Sequence, residues 1–238
     1  MGFSTEIREN RAFVAEIKFL VPADRVEALR DWARGRLRPD PFGAGPFGDT
    51  YETNSIYFDT GDFDVFHRRG SFGRSKYRAR RYGAAEEMFL ERKLKTHDLV
   101  NKRRSIVPCA EFAKLASAET RKGWAGHWFH RRIRARELAP VCQVAYTRTA
   151  LVNSNGHGPI RMTLDAGVRA VVSNALAFHD LAGEAPLTGS NGILELKFYR
   201  ARPPVFDELV EKFGLVAQPI SKYRIAVGAL YAREVAVA

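Results

Sequence analysis

The chain has 238 residues, with 38 Lys+Arg against 27 Asp+Glu and a formal net charge of +11 at pH 7. Its 45% hydrophobic content is enough to bury a core, which excludes a disordered or fibrous polypeptide. Two cysteines, Cys109 and Cys142, exclude a disulfide scaffold and a cysteine-based zinc site.

No apolar run approaches the ~18–20 residues that span a bilayer. The charged stretch Met1–Arg11 lacks a signal-peptide core, so a cytoplasmic location is expected. The positive charge points to an anionic partner: nucleic acid, a membrane surface or polyphosphate.

In chain order, Ala12–Leu20 reads as a strand and Ala23–Leu37 as a helix behind Pro22. Pro39–Asp49 reads as a loop. Short alternating segments follow at Tyr51–Phe58, Ser75–Tyr82, Met88–Leu94 and Arg103–Val107. More follow at Cys142–Leu151, Ile160–Leu164, Val168–Val172 and Ile193–Phe198. Helical patterns fall at Ala110–Lys122, Trp124–Leu138, Pro204–Phe213 and Ser221–Ala232. Gly156–Pro159 and Gly183–Gly192 read as turns. Many short strands with few helices predict one α+β domain over residues 1–238, built on an antiparallel sheet or barrel.

Several strands carry charge at alternate positions. Glu16-Ile17-Lys18, Glu91-Arg92-Lys93 and Glu195-Leu196-Lys197 are three; Lys76-Tyr77-Arg78-Ala79-Arg80 and Arg161-Met162-Thr163-Leu164-Asp165 are two more. Residues i and i+2 share a face of a strand. Any one such face is most simply a solvated one. Five together predict a lumen lined by Lys, Arg and a few Glu if the sheet closes. Unpaired charges there carry a desolvation penalty that a polyanion with a divalent cation would offset. The pairing of bases with carboxylates at i+2 argues against nucleic acid, which favours exposed basic stripes with stacking aromatics.

These segments, in this order, resemble the VTC domain, the polyphosphate-polymerase branch of the CYTH/triphosphate tunnel metalloenzyme superfamily. Further matching segments are Ser55-Ile56-Tyr57-Phe58-Asp59-Thr60, Leu90-Glu91-Arg92-Lys93, Tyr146-Thr147-Arg148 and Ser221-Lys222-Tyr223. The resemblance runs from about Arg11 to about Leu230. It implies an antiparallel eight-stranded β-barrel tunnel with flanking helices. It implies that Lys18, Arg78, Arg80, Lys93, Arg148, Arg161, Lys197 and Lys222 line the tunnel and act on phosphates. Lys102, Ser221 and Lys76 would add phosphate contacts, with the register of Lys102-Arg103-Arg104 left open. Glu195 would bind Mn²⁺ or Mg²⁺, and Glu16 and Asp165 would be further metal or lysine partners. The substrates implied are ATP and inorganic polyphosphate, with a separate membrane protein as one receiver of the product.

The triphosphatase branch resembles Glu-x-Glu-x-Lys near its N-terminus, whereas this chain has Val14-Ala15-Glu16-Ile17-Lys18. One carboxylate is therefore absent. A phosphate nucleophile, already largely anionic near pH 7, tolerates that loss better than water does. Polymerase is the preferred expectation. A metal-dependent tri- or polyphosphatase and a non-catalytic polyphosphate- or nucleotide-binding domain are the alternatives. The run His130-Arg131-Arg132-Ile133-Arg134-Ala135-Arg136 reads first as a solvated helix face; its sharper reading is a dock for product polyphosphate or an acidic membrane.

Overall fold

A computed structural model describes residues 6–12, 14–95, 99–155, 158–199 and 201–232. The side chain of Val14, His97, His157 and part of the expected Gly156–Pro159 turn lie outside the described residues.

Among the described residues ten strands form one antiparallel sheet. They are β1 (Glu6–Ala12), β2 (Val14–Val21), β3 (Arg38–Pro39), β4 (Thr50–Asp59), β5 (Ser75–Tyr82), β6 (Glu87–Lys95), β7 (Leu99–Pro108), β8 (Ala139–Asn155), β9 (Gly158–Val172) and β10 (Gly192–Tyr199). The helices are α1 (Ala23–Arg34), α2 (Asp64–His67), α3 (His127–Arg134), α4 (Pro204–Lys212) and α5 (Lys222–Leu230).

The main path runs β1-β7-β6-β5-β4-β8-β9-β10-β2, with the two-residue β3 paired to β8 off that path. β1 and β2 are the two edges of the path, yet residue 13 alone separates them in the chain. One N-terminal run therefore supplies both edges. Counted once, it leaves the eight walls expected of the tunnel. Among the described residues no ladder joins β1 to β2. The lumen is instead spanned by side chains: Lys93 on β6 donates to Glu16 on β2 at 2.8 Å.

Three expectations change. The N-terminal strand begins at Glu6, where a strand was expected only from Ala12. Ile160–Leu164 and Val168–Val172 belong to one strand, β9. Gly167, at φ +60°, absorbs a register shift opposite Ala145/Thr147 without ending the pairing. The expected helix Ala110–Lys122 is a 3₁₀ segment, Cys109–Ala116. Its buried residues Phe112 and Leu115 are three apart, the spacing that stacks side chains in a 3₁₀ turn.

Two apolar clusters flank the polar lumen. One joins β2, β9 and β10 to α1 and α4 through Phe19, Leu29, Met162, Leu196 and Phe206, all almost fully buried. The α1 stripe Val26, Leu29 and Ala33 follows helical spacing. The other cluster holds α3 and α5 against β4, β5, β6 and β8. In it Tyr223 of α5 stacks on Tyr57 of β4 at 5.1 Å, and Ala226 and Val227 are fully buried. Burying side chains of this size contributes roughly 1.5–3 kcal/mol each before entropy is counted.

Candidate functional site

Strand register decides which charges face the lumen. Arg78 stands opposite both Tyr57 and Glu91, Lys76 opposite Lys93, and Lys93 opposite Lys102. Lys18 stands opposite Glu195, and Glu16 opposite Lys197. The open register of Lys102-Arg103-Arg104 is thereby resolved. Lys102 and Arg104 share the inner face with Lys93 and Glu91, while Arg103 lies outside over the Trp128 ring at 4.4 Å.

Two carboxylates form a centre near the more open part of the lumen. Lys18 Nζ lies 3.0 Å from Glu16 Oε1 and 3.0 Å from Glu195 Oε2. Lys197 Nζ reaches Glu195 Oε1 at 2.6 Å and Glu16 at 3.8 Å. Burial and Glu195 push the Glu16 carboxyl up, but Lys18, Lys93 and Lys197 outweigh them and hold it down to about 2. Burial also opposes the charge on Glu195. Lys197, Lys18 and Arg148 nevertheless hold it well below the carboxylate range.

The other two carboxylates are deeper and serve as clamps. Asp165, fully buried, accepts from Arg148 Nε at 2.6 Å and Nη2 at 2.8 Å, and from Lys222 Nζ at 2.5 Å. Glu91 accepts from Arg78 Nε at 2.6 Å and pairs with Lys102 at 3.2 Å. Burial raises both carboxyls, and the flanking cations outweigh it: Asp165 falls to about 2, and Glu91 also lies below its ordinary value. Forked guanidinium pairs of this kind fix direction as well as charge.

Arg80 is held by hydroxyls, donating to Ser55 Oγ at 3.0 Å and Tyr146 OH at 3.1 Å. Lys76 also has no carboxylate as its hydrogen-bond partner among the described residues; it donates to Ser221 Oγ at 2.8 Å. Burial, then repulsion from Lys18, Lys93 and Arg78, brings Lys76 down to about 7. Such a cation is poised to take an anion.

α5 is tied to the wall through its first residues. Ser221 caps the helix, its Oγ accepting from the Arg224 N–H at 3.3 Å. Lys222 reaches Asp165 at 2.5 Å, the Tyr223 hydroxyl donates to Asp59, and the Arg224 guanidinium donates to the Phe66 carbonyl.

The structure thus brings Lys18, Lys76, Arg78, Arg80, Lys93, Lys102, Arg148, Lys197, Ser221, Lys222 and Glu195 to one lumen. Arg161 stands opposite Lys197 on the inner face of β9, away from Glu16, Glu91, Asp165 and Glu195. It turns to Asp40 at 3.0 Å and Tyr51 OH at 3.0 Å, with its side chain 38% exposed. Sequence reasoning missed Arg104, Tyr57, Tyr146 and Ser55 as lining residues. The period-two rule marks Arg104 once its strand is registered, and marks Tyr57 and Ser55 as partners of Arg78 and Arg80. Among the described side chains the lumen cations outnumber the carboxylates more than two to one, which suits a polyanion.

A family model described as VTC domain matches residues 13–231. The chain belongs to the VTC domain family. Solved structures share the fold of this VTC domain. A putative adenylate cyclase from Bacillus halodurans has a TM-score of 0.52 at 16% identity, covering 89% of this chain and 95% of its own. A Pyrococcus horikoshii OT3 protein has a TM-score of 0.52 at 12% identity, covering 91% and 99%. A putative adenylyl cyclase from Hippeastrum, described as having a dominant triphosphatase activity, has a TM-score of 0.51 at 13% identity, covering 92% and 96%. No curated protein sequence matches the chain.

Glu16 and Glu195 give a VTC-domain lumen the hard oxygen donors that Mg²⁺ and Mn²⁺ accept. They are anionic and converge on one lysine ammonium, so the donor chemistry fits such an ion. Among the described residues no three His, Cys, Asp or Glu side chains group closely enough to hold a metal by themselves. Phosphate oxygens would complete the coordination. No helix among the described residues is long and apolar enough to cross a membrane.

Proposed function

We propose that this VTC domain is a polyphosphate polymerase, transferring the γ-phosphate of ATP to the end of an inorganic polyphosphate chain. The observation that supports this reading over hydrolysis is the state of the four lumen carboxylates among the described residues. Each is clamped by cations and held below its ordinary pKa. A general base works best with a pKa near the operating pH. None of these four is so placed, so none is suited to activating water. A terminal phosphate oxygen needs no such base, because it is already largely anionic at neutral pH.

In the transfer, a terminal oxygen of the polyphosphate chain attacks the γ-phosphorus as the bond to the β,γ-bridging oxygen breaks. ADP leaves with that electron pair. Arg78 and Arg148, oriented by Glu91 and Asp165, offer the N–H donors those carboxylates leave over to equatorial oxygens. Lys18, Lys93, Lys197 and Lys222 supply point charges, and Lys76 with Ser221 holds a further phosphate. Mn²⁺ or Mg²⁺ at Glu195 and Glu16 would neutralise charge as it develops on the transferring group.

Glu16 and Glu195 also favour a second reading. Those two residues would hold a divalent ion, and such an ion would supply the Lewis acidity that activates water in a triphosphatase. The two readings separate when purified protein is given ATP and Mn²⁺ with and without a short polyphosphate primer. Polymerase activity yields ADP and longer chains with little free phosphate. Free phosphate without chain growth supports the triphosphatase, and saturable binding without turnover supports an accessory domain.

A further inference from the structure

We propose that the outer face of β6, β7 and α3 is a second polyanion site, which holds a polyphosphate chain outside the tunnel. Its ligand class rests on the polymerase reading above; its existence rests on the arginines themselves.

Arg92 and Arg103 stand directly opposite each other in the β6/β7 ladder and alternate with the lumen residues on the same strands. Arg132 and Arg136 come from α3 and the turn that follows it. Burial and then the charges of Arg132, Arg103 and Arg136 push Arg92 below the usual guanidinium value, so the four are gathered closely enough to repel. Aromatic rings lie under two of them. Arg103 lies 4.4 Å from the Trp128 ring centroid, and Arg136 lies 4.8 Å from that of Phe72. Trp128 is itself fixed to β7, donating to Ser105 Oγ at 2.6 Å. Ten residues, His127–Arg136, contain no carboxylate. Arg131 and Arg134 extend the positive surface into solvent.

The position of the cluster gives it a role. Lys93, Lys102 and Lys197 have side chains 32%, 26% and 33% exposed, against 12% for both Arg148 and Lys222. The first three therefore mark the open part of the lumen. Arg92 adjoins Lys93 and Arg103 adjoins Lys102, so the two basic surfaces lie back to back across one layer of strands. A chain emerging past Lys93 and Lys102 leaves the lumen at the same two strands whose other face carries the arginines.

The chemistry favours a linear polyphosphate over a membrane. Surface-lying membrane segments pair basic residues with exposed apolar anchors. Among the described residues the exposed large apolar side chains are Leu20, Phe42, Phe47, Val172, Tyr199 and Val216, and none belongs to β6, β7 or α3. Flat guanidinium forks suit successive phosphate groups.

The test uses the full chain and a triple variant, Arg92→Gln with Arg132→Gln and Arg136→Gln, which removes three half-exposed charges and spares the lumen. Long-chain polyphosphate and tripolyphosphate are titrated separately across a range of salt. The expected result is long-chain affinity about tenfold weaker, with a salt slope flatter by about 2, since each phosphate contact of a single strand contributes about 0.7. Tripolyphosphate affinity stays at the parent value. Unchanged long-chain affinity and slope overturn the proposal. Equal weakening for tripolyphosphate also overturns it, because the effect then runs through the tunnel. Loss of anionic-vesicle or single-stranded DNA binding, with long-chain polyphosphate binding intact, assigns the surface to another partner and overturns it. A parent protein that binds long chains through these arginines but never turns over ATP refutes the polymerase reading while leaving this site standing.

Discussion

Lys93 of β6 and Glu16 of β2 meet at 2.8 Å although their strands share no ladder contact. The pair spans the lumen and places one carboxylate among three lysines, Lys18, Lys93 and Lys197. Glu16→Gln removes the shared counter-charge. In the absence of metal, tripolyphosphate is then expected to bind roughly tenfold more tightly, the effect of about 1.4 kcal/mol from one partly screened charge. Isothermal titration in chelator measures it; weaker binding would contradict the assignment of Glu16 as a competitor for these lysines.

Asp165 is the fully buried partner of Arg148 and Lys222. Asp165→Asn leaves two cations without their counter-ion, at a cost of about 3–5 kcal/mol. Thermal unfolding should shift down by about 10 °C for a chain of this size. Adding Lys222→Met should cost less than the sum of the two single changes, because the two residues share one interaction. Strict additivity would show that the pair is not coupled.

Lys76 has a pKa of about 7, depressed first by burial and then by its cationic neighbours. Above that pH it is neutral, and a bound phosphate draws a proton onto it. Binding therefore takes up protons, and affinity falls as pH rises through neutrality. Lys76→Met should flatten the profile of tripolyphosphate affinity between about pH 6 and 8, the window set by a group titrating near 7. A variant with the parent's pH dependence would remove Lys76 from the binding equilibrium.

Glu195 sits between Lys18 and Lys197 with both its oxygens engaged. Glu195→Gln should lower Mn²⁺-stimulated turnover about 100-fold, as for loss of one preorganised electrostatic group. The far-ultraviolet spectrum should be unchanged, because the amide keeps the shape. Undiminished stimulation by Mn²⁺ would place the ion elsewhere.

Much of this lumen was legible in the sequence because its chemistry obeys a period of two. Glu16 and Lys18, or Arg78 and Arg80, share a face by strand geometry alone. A helix beginning at Ser221 was legible, and the structure makes that serine its cap and puts it beside Lys76. What was not legible depends on contacts between distant strands. Lys102 and Arg104 were separable from Arg103 only by their register against Lys93 and Glu91. Asp165 differs from Glu195 in being wholly enclosed, which no local pattern encodes. The N-terminal strand Glu6–Ala12 was hidden by its charge; it takes its place from pairing with β7, not from an apolar pattern. Arg161 fits the alternation but is drawn to Asp40, a residue of the loop after β3.

The fate of the γ-phosphate tests the central claim most directly. ATP labelled at that position is incubated with the protein, Mn²⁺ and a short polyphosphate primer. The account predicts that the label enters chains longer than the primer, matched by ADP, with little label in free phosphate. Label recovered only as free phosphate, with the primer unextended, would contradict it.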